Sequence, residues 1–269
     1  MNNLHRELAP ISAAAWEEIE EEASRSFKRN VAGRRLVDVV GPLGLEASSV
    51  GTGRVHKIDS PSDGIHASLR DTQSLVELKV PFTLSREAID NVDRGAKDSD
   101  WDPVRDAARD LALAEDRAIF EGYAAAGIDG IGSKALGPIK LPASVADYPE
   151  ALAEALSALK LESVDRPYSM VASTKIYNSI SEETDHGYPV RQHLQRQLVD
   201  GDILWAPALD DAYVISTRGG DFEMTIGQDV SIGYDSHDAD VVNLYFIESF
   251  TFLVYTGEAA VALKTTKGK

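Results

Sequence analysis

The stretch from Val241 to Thr256, VVNLYFIESFTFLVYT, constrains the fold most. Apolar and polar residues alternate through much of it, the period of a strand whose side chains face opposite sides. The segments FEMTIG, VSIGY and AAVAL around it carry the same signature, so the last 45 or so residues read as long antiparallel sheet, partly buried on both faces. A sheet of that kind needs helices or a second layer against it.

The helices to cover it are also legible. Ser12 caps an amphipathic helix over residues 12 to 30, with Trp16, Ile19, Ala23 and Phe27 on one face. Its early turns are crowded with glutamates, its last turns hold Arg25, Lys28 and Arg29, and Glu21 and Arg25 form a favourable pair. Asp102 is read as the cap of a second helix running to about Gly122, with Pro103 at its first position and Val104, Ala108, Leu111, Ala118 and Ile119 buried. YPEALAEALSALKL is a third, with Leu152, Leu156 and Leu159 inward. YSMVAS, DILWAP and DAYVIST are strands, and TKIYNSIS is a short helix. Residues 50 to 84 are short, often charged strands around the turn SPSDG, which predicts a hairpin projecting from the body and stabilised by a neighbouring subunit. The basic end, KTTKGK, reads as a free tail. The fold class is α+β.

Charge and composition exclude several functions. The chain has 269 residues, 43% of them hydrophobic, enough for one large or two intimate domains. Lys and Arg total 27 against 44 Asp and Glu, a formal net charge of −17, which opposes a nucleic-acid partner. No cysteine is present, so disulfides, thiolate metal sites and a cysteine nucleophile are excluded. No apolar run of about 18 residues predicts a membrane span. MNNLHRELAPISAAAWEEIEEE lacks the basic start and apolar stretch of a signal peptide, so the expected location is the cytoplasm.

Catalytic motifs are weak. SEETDHGYPVRQHLQR, residues 181–196, packs histidines, carboxylates, a tyrosine and arginines together. His186 and His193 stand seven apart with Gly187 and Pro189 between them, unlike the zinc-hydrolase spacing of four with an adjacent glutamate. GIDGIG follows a helix rather than opening one, so it is a loop and not a dinucleotide fingerprint. Ser157 and Lys160 match S-x-x-K inside a leucine-patterned helix, without the partner motifs of penicillin-recognising enzymes. The residues point to a non-enzymatic subunit suited to assembly, with no cofactor and no metal.

Nine stretches in order carry a resemblance over nearly the whole chain. They are MNNLHRELAPIS, FKRNVAGRRLVDVVGP, VPFTLSREAIDNVDRG, DSDWDPV, AEDRAIFEGY, DHGYPVRQHL, DILWAPAL, STRGGDFEMTIGQDVSIGY and ESFTFLVYT. Together they resemble the encapsulin family, especially its actinobacterial, linocin M18-like members. The resemblance implies an HK97-type phage capsid fold. Residues 1–49 hold the N-terminal helix and the start of a peripheral domain, and 50–84 the extended loop. Residues 85–127 are peripheral domain with its spine helix, 128–220 the axial domain, and 221–269 peripheral strands and tail.

The function implied is a homo-oligomeric icosahedral shell, sixty subunits in its smallest form. It encloses a cargo enzyme and admits small solutes through pores. Cargo is a dye-decolourising peroxidase or a ferritin-like protein, in keeping with oxidative-stress or iron-storage roles, and carries a C-terminal targeting peptide. Phe27, Val37, Val230 and Ile232 would form its apolar groove, with Arg34 and Asp38 fixing polar groups. EETDHGYPV would line the five-fold pore, with Glu182, Glu183, Asp185 and His186 as charged rings. His186 would make the charge pH-dependent, and Tyr188 and Pro189 would brace the loop. The alternatives are a secreted bacteriocin or protease, and a phage or prophage major capsid protein.

Overall fold

The computed structural model describes residues 3–185 and 187–265. Its centre is the strand Val241–Val254, which lies inside the predicted alternating stretch. Val76–Ser85 runs antiparallel along one edge for ten residue pairs. The other edge is shared by two strands in succession: Ser231–His237 beside the first half, Phe222–Ile226 beside the last residues. Asp38–Val40 adds in parallel outside Phe222–Ile226.

Residues 227–230 interrupt that shared edge. They are stitched to Ser249 rather than paired in a regular ladder: the Gly227 N–H donates to the Ser249 carbonyl (2.8 Å), and the Gln228 N–H to Ser249 Oγ (2.9 Å).

A second sheet has the order Ile203–Trp205, Tyr168–Ala172, Ala212–Ser216, Ala260–Thr265, Leu136–Leu141. Tyr168–Ala172 is buried throughout, and the helix Tyr148–Leu161 buries Leu152, Leu156 and Leu159.

The predicted N-terminal helix spans Ala13–Asn30. Ser12 Oγ accepts from the Ala15 N–H (3.2 Å) and donates to Asp93 Oδ1 (2.6 Å). Arg25 pairs with Glu22 (2.6 Å) rather than with Glu21. The spine helix is Asp102–Phe120. Trp101, not Asp102, is its N-cap and makes no side-chain cap bond. The Trp101 indole N–H instead donates to Glu18 on the N-terminal helix (3.1 Å).

The hydrophobic interior falls into two clusters. The smaller holds Ile19, Phe27, Leu111 and Phe246; the larger holds Leu36, Phe120, Phe250 and Phe252 with the second sheet. Three of the segments that cross from one cluster to the other carry charged residues at the crossing. The segment after the N-terminal helix passes from Val31 to Leu36 through Gly33 and Arg34. The spine helix passes from Ala112 to Ala118 through Glu115 and Asp116, and the long strand passes from Phe246 to Phe250 through Glu248. Gly33 allows close packing there: a Cβ would lie 2.5 Å from Ile119 Cδ1 and 3.0 Å from Asp116 Oδ1, so these side chains would have to shift.

Two boundaries differ from expectation. The projecting hairpin is Ser49–Ile58 with Ala67–Ser74, shorter than 50–84, because Val76–Ser85 pairs with the central strand. Both kinds of strand alternate apolar with charged residues, and only the partner distinguishes them. Ala260–Thr265 does not belong with the strands of 221–259. It pairs with Ala212–Ile215 and Leu136–Leu141 in the second sheet, and Thr265 donates its N–H to Asp211 (3.1 Å). The predicted free tail therefore starts no earlier than residue 266, and residues 266–269 lie outside those described.

Candidate functional site

A groove of about 590 Å³ opens between the N-terminal helix and the start of Ser231–His237. The lapse in the ladder at 227–230 borders it: Asp229 and Val230 line the groove beside Ser231 and Ile232, where regular pairing with the long strand resumes. Ala23, Phe27 and Val31 form the helix side; Val230, Ile232 and Phe246 form the sheet side.

Charges frame this apolar surface. Arg6, on the segment before the helix, bonds Glu20 (2.5 Å) and lies over the Trp16 ring (4.0 Å). Leu4 anchors that segment by accepting from the Tyr234 N–H (2.8 Å). Lys28 and Arg35 also line the groove, and neither has an ion pair among the described residues.

Arg34 makes the floor. Its Nε lies 2.9 and 3.0 Å from the two oxygens of Glu115, and its Nη2 lies 2.6 Å from Glu115 Oε2 and 3.2 Å from Glu248 Oε2. Its Nη1 donates to Asp229 Oδ1 (2.8 Å), and the guanidinium stands 5.0 Å from the Phe27 ring centre. Burial works against the charge on Arg34, but the bonds to Glu115 and Asp229 outweigh it and raise its pKa. Burial also raises Asp116 to about 7, against the opposing pull of backbone N–H bonds from Gly33 (2.7 Å) and Ala32 (2.9 Å).

Of the six residues expected at a groove, the structure brings four together: Phe27, Arg34, Val230 and Ile232. Val37 and Asp38 lie elsewhere. Val37 packs on the larger cluster, and Asp38 Oδ2 accepts from the Gly220 N–H (2.5 Å) beside a separate, smaller pocket. The chain turns into the strand Asp38–Val40 there, which carries both residues away from Phe27.

Glu115, Asp116, Asp229 and Glu248 were not singled out from the sequence. The available signal is a carboxylate set in an apolar pattern, as in LALAEDRAIF and YFIESFTF.

The acidic loop is a separate feature. Glu182 ends the helix Thr174–Glu182, and Glu183 caps it; both are exposed. Thr184–Asp185 pairs with Tyr188–Pro189 in a minimal hairpin that leads into the helix Val190–Leu198. Tyr188 is half-buried, edge-on to His193 (ring centres 6.2 Å) with Arg196 5.0 Å from its ring. His186 lies outside the described residues. His193 is on the helix beyond the hairpin, and no group of three or more potential metal ligands occurs among the described residues. No described helix is long and apolar enough to cross a membrane.

Comparison with known proteins adds to this geometry. Residues 1–251 match the sequence model of the Linocin_M18 family, described as the encapsulating protein for peroxidase. The type 1 encapsulin shell protein of Rhodococcus erythropolis is 58% identical over 264 residues, covering 98% of this chain and all of that one. The type 1 encapsulin shell protein of Mycobacterium tuberculosis is 56% identical, covering 98% and 99%. Among solved structures, the virus-like particle of Pyrococcus furiosus superposes with a TM-score of 0.65 at 18% identity, over 93% of this chain and 99% of that one. The capsid of the Myoviridae phage XM1 gives 0.56 at 13% identity, over 86% and 90%. At these identities the structural likeness shows the fold, which is that of HK97-type capsid proteins.

Proposed function

The chain belongs to the encapsulin family of self-assembling shell proteins, and from that premise we propose that it builds a closed icosahedral compartment in the cytoplasm, of sixty copies in the simplest case, whose groove holds the C-terminal peptide of an enclosed enzyme. The family is one of structural shell proteins, not enzymes. The observation that carries the groove reading is the convergence of Phe27, Val230 and Ile232 on one apolar surface with Arg34 as its polar floor. An extended peptide with a few apolar side chains fits such a surface, and many copies per shell supply avidity. The cargo would be a dye-decolourising peroxidase or a ferritin-like protein. The Linocin_M18 description favours the peroxidase.

The exposed Glu182 and Glu183, at the helix end that leads into a tight hairpin, support the pore reading. Repeated about a symmetry axis, they would ring a channel and select for cations.

Electron microscopy of the purified protein tests the assembly. Uniform hollow spheres are expected; monomers or dimers at every concentration would refute it. Mass spectrometry of what co-purifies from the native host identifies the cargo, and shells with no peroxidase or ferritin-like protein inside would count against that part. Shells packed with DNA would instead favour a phage or prophage capsid.

A further inference from the structure

Three carboxyl groups reach Arg34 from three different elements: Glu115 from the spine helix, Glu248 from the long strand and Asp229 from the interruption at 227–230. Asp116, next to Glu115, faces the backbone of Ala32 and Gly33. Leu78, cross-strand from Glu248, brings no charge. One guanidinium thus serves three carboxyls, two of them sealed from solvent: Glu115 is 0% and Glu248 1% exposed. A buried carboxylate without its own counter-charge is costly and is commonly held neutral.

The contacts point the same way. Glu248 Oε1 is buried with no hydrogen-bond partner among the described residues. Glu115 Oε2 and Glu248 Oε2 both lie on Arg34 Nη2, at 2.6 and 3.2 Å, so the two carboxyl groups meet at one nitrogen. Two ionised carboxylates have no hydrogen to share, so a bond between them forms only when one carries a proton. Burial first, and then the negative charge of Glu115, hold Glu248 protonated well above the usual carboxylate range.

We propose that Glu115 and Glu248 share one proton beneath Arg34, and that this proton latches the floor of the groove. With it in place, Glu248 donates to Glu115 while Arg34 spans Glu115 and Asp229, and the turn at 227–230 is pinned. When base removes the proton to solvent, two buried carboxylates face each other with one guanidinium between three acids. Their repulsion, and the water the new charge demands, separate the spine helix from the long strand at the seam. Arg34 is then drawn from Asp229, the turn loosens, and Val230 leaves the groove wall. The latch rests on the groove reading only for its consequence, a peptide site intact at neutral pH and loosened in alkali.

Hydrogen exchange on cargo-free wild-type shells tests it without any peptide. The amides of Val230, Ser231 and Ile232 are followed from neutral to alkaline buffer, with rates corrected for intrinsic chemistry. Protection should fall by about tenfold per pH unit above the transition, as one linked proton requires. Glu248→Gln keeps a donor toward Glu115 but cannot titrate, so its profile should be flat. A flat wild-type profile, or an equal fall in Glu248→Gln, overturns the latch. Should that variant not assemble, infrared spectroscopy of wild-type shells in mildly alkaline buffer decides, because Asp116 is then ionised. A buried carboxylic-acid C=O band is expected, and its absence overturns the proposal. Failure of any cargo peptide to bind would instead refute the groove reading and leave the latch untouched.

Discussion

Arg34 Nη2 lies 2.6 Å from Glu115 Oε2, and Glu115 is wholly buried between the two hydrophobic clusters. The pair joins the segment after the N-terminal helix to the middle of the spine helix, 81 residues away. It closes the seam and at the same time makes the groove floor.

Removing Arg34 should therefore cost more than a surface ion pair would. Arg34→Ala leaves Glu115 and Glu248 buried without a cation, a loss of about 3–5 kcal/mol. Arg34→Lys restores charge but not the fork of bonds to Glu115 and Asp229, so an intermediate loss is expected. Denaturant unfolding of dissociated subunits measures both.

Asp116 makes stability depend on pH. Its pKa is raised to about 7 in the fold, above the ordinary 3.8, so the native state holds a proton that the unfolded state releases. Its contribution is fully present below about 4 and is lost as pH rises toward 7, with a slope of at most about 1.4 kcal/mol per pH unit. Asp116→Asn should flatten that part of the profile, measured as unfolding midpoints across a pH series.

At the groove, Val230→Asp places a charge on a half-buried apolar wall outside the helix, and Phe27→Asp places one at a buried position on the helix side. Intact shells that no longer co-purify with a tagged cargo peptide are expected from both. Retention of cargo by intact shells of either variant would show that the site lies elsewhere.

Neutralising Glu182, Glu183 and Asp185 together, to Gln, Gln and Asn, should slow cation entry without disturbing assembly. Glu182 and Glu183 are exposed on the single chain and carry no core packing. Stopped-flow uptake with an indicator sealed inside the shell reads the rate, and unchanged kinetics would contradict a pore-lining role.

The projecting hairpin leaves Val55, Ile58, Ile65 and Leu69 between 47% and 63% exposed. An apolar surface of this kind on a thin two-stranded ribbon calls for a partner. Ile58→Ser with Leu69→Ser should yield folded subunits with unchanged circular dichroism that fail to form shells, read by size exclusion. Shells of normal yield would mean the hairpin does not carry assembly.

Local periodicity made much of the fold legible. The N-terminal helix announces itself through Trp16, Ile19, Ala23 and Phe27, and the spine helix through its alanine-rich stripe from Val104. The long strand does so by alternation alone. Each pattern is set by neighbours one to four residues apart, so it survives in one dimension. The limits fall where that ceases to hold: Val76–Ser85 looks like more of the hairpin until its ten partners on the long strand are known.

The site divides in the same way. Sequence resemblance brought Phe27, Arg34, Val230 and Ile232 forward, and the fold places all four on one groove. It also brought Val37 and Asp38, which one short strand carries elsewhere. Nothing in the chain near Glu248 marks it as a partner of Arg34, since 214 residues separate them. Charge, composition and hydrophobic period determined the class of element at each position and the assembly-prone, acidic character of the chain. Only the tertiary structure decided which carboxylates lose their water and meet at one guanidinium. Desolvation and ion pairing depend on distances in space between elements, and no local pattern encodes those.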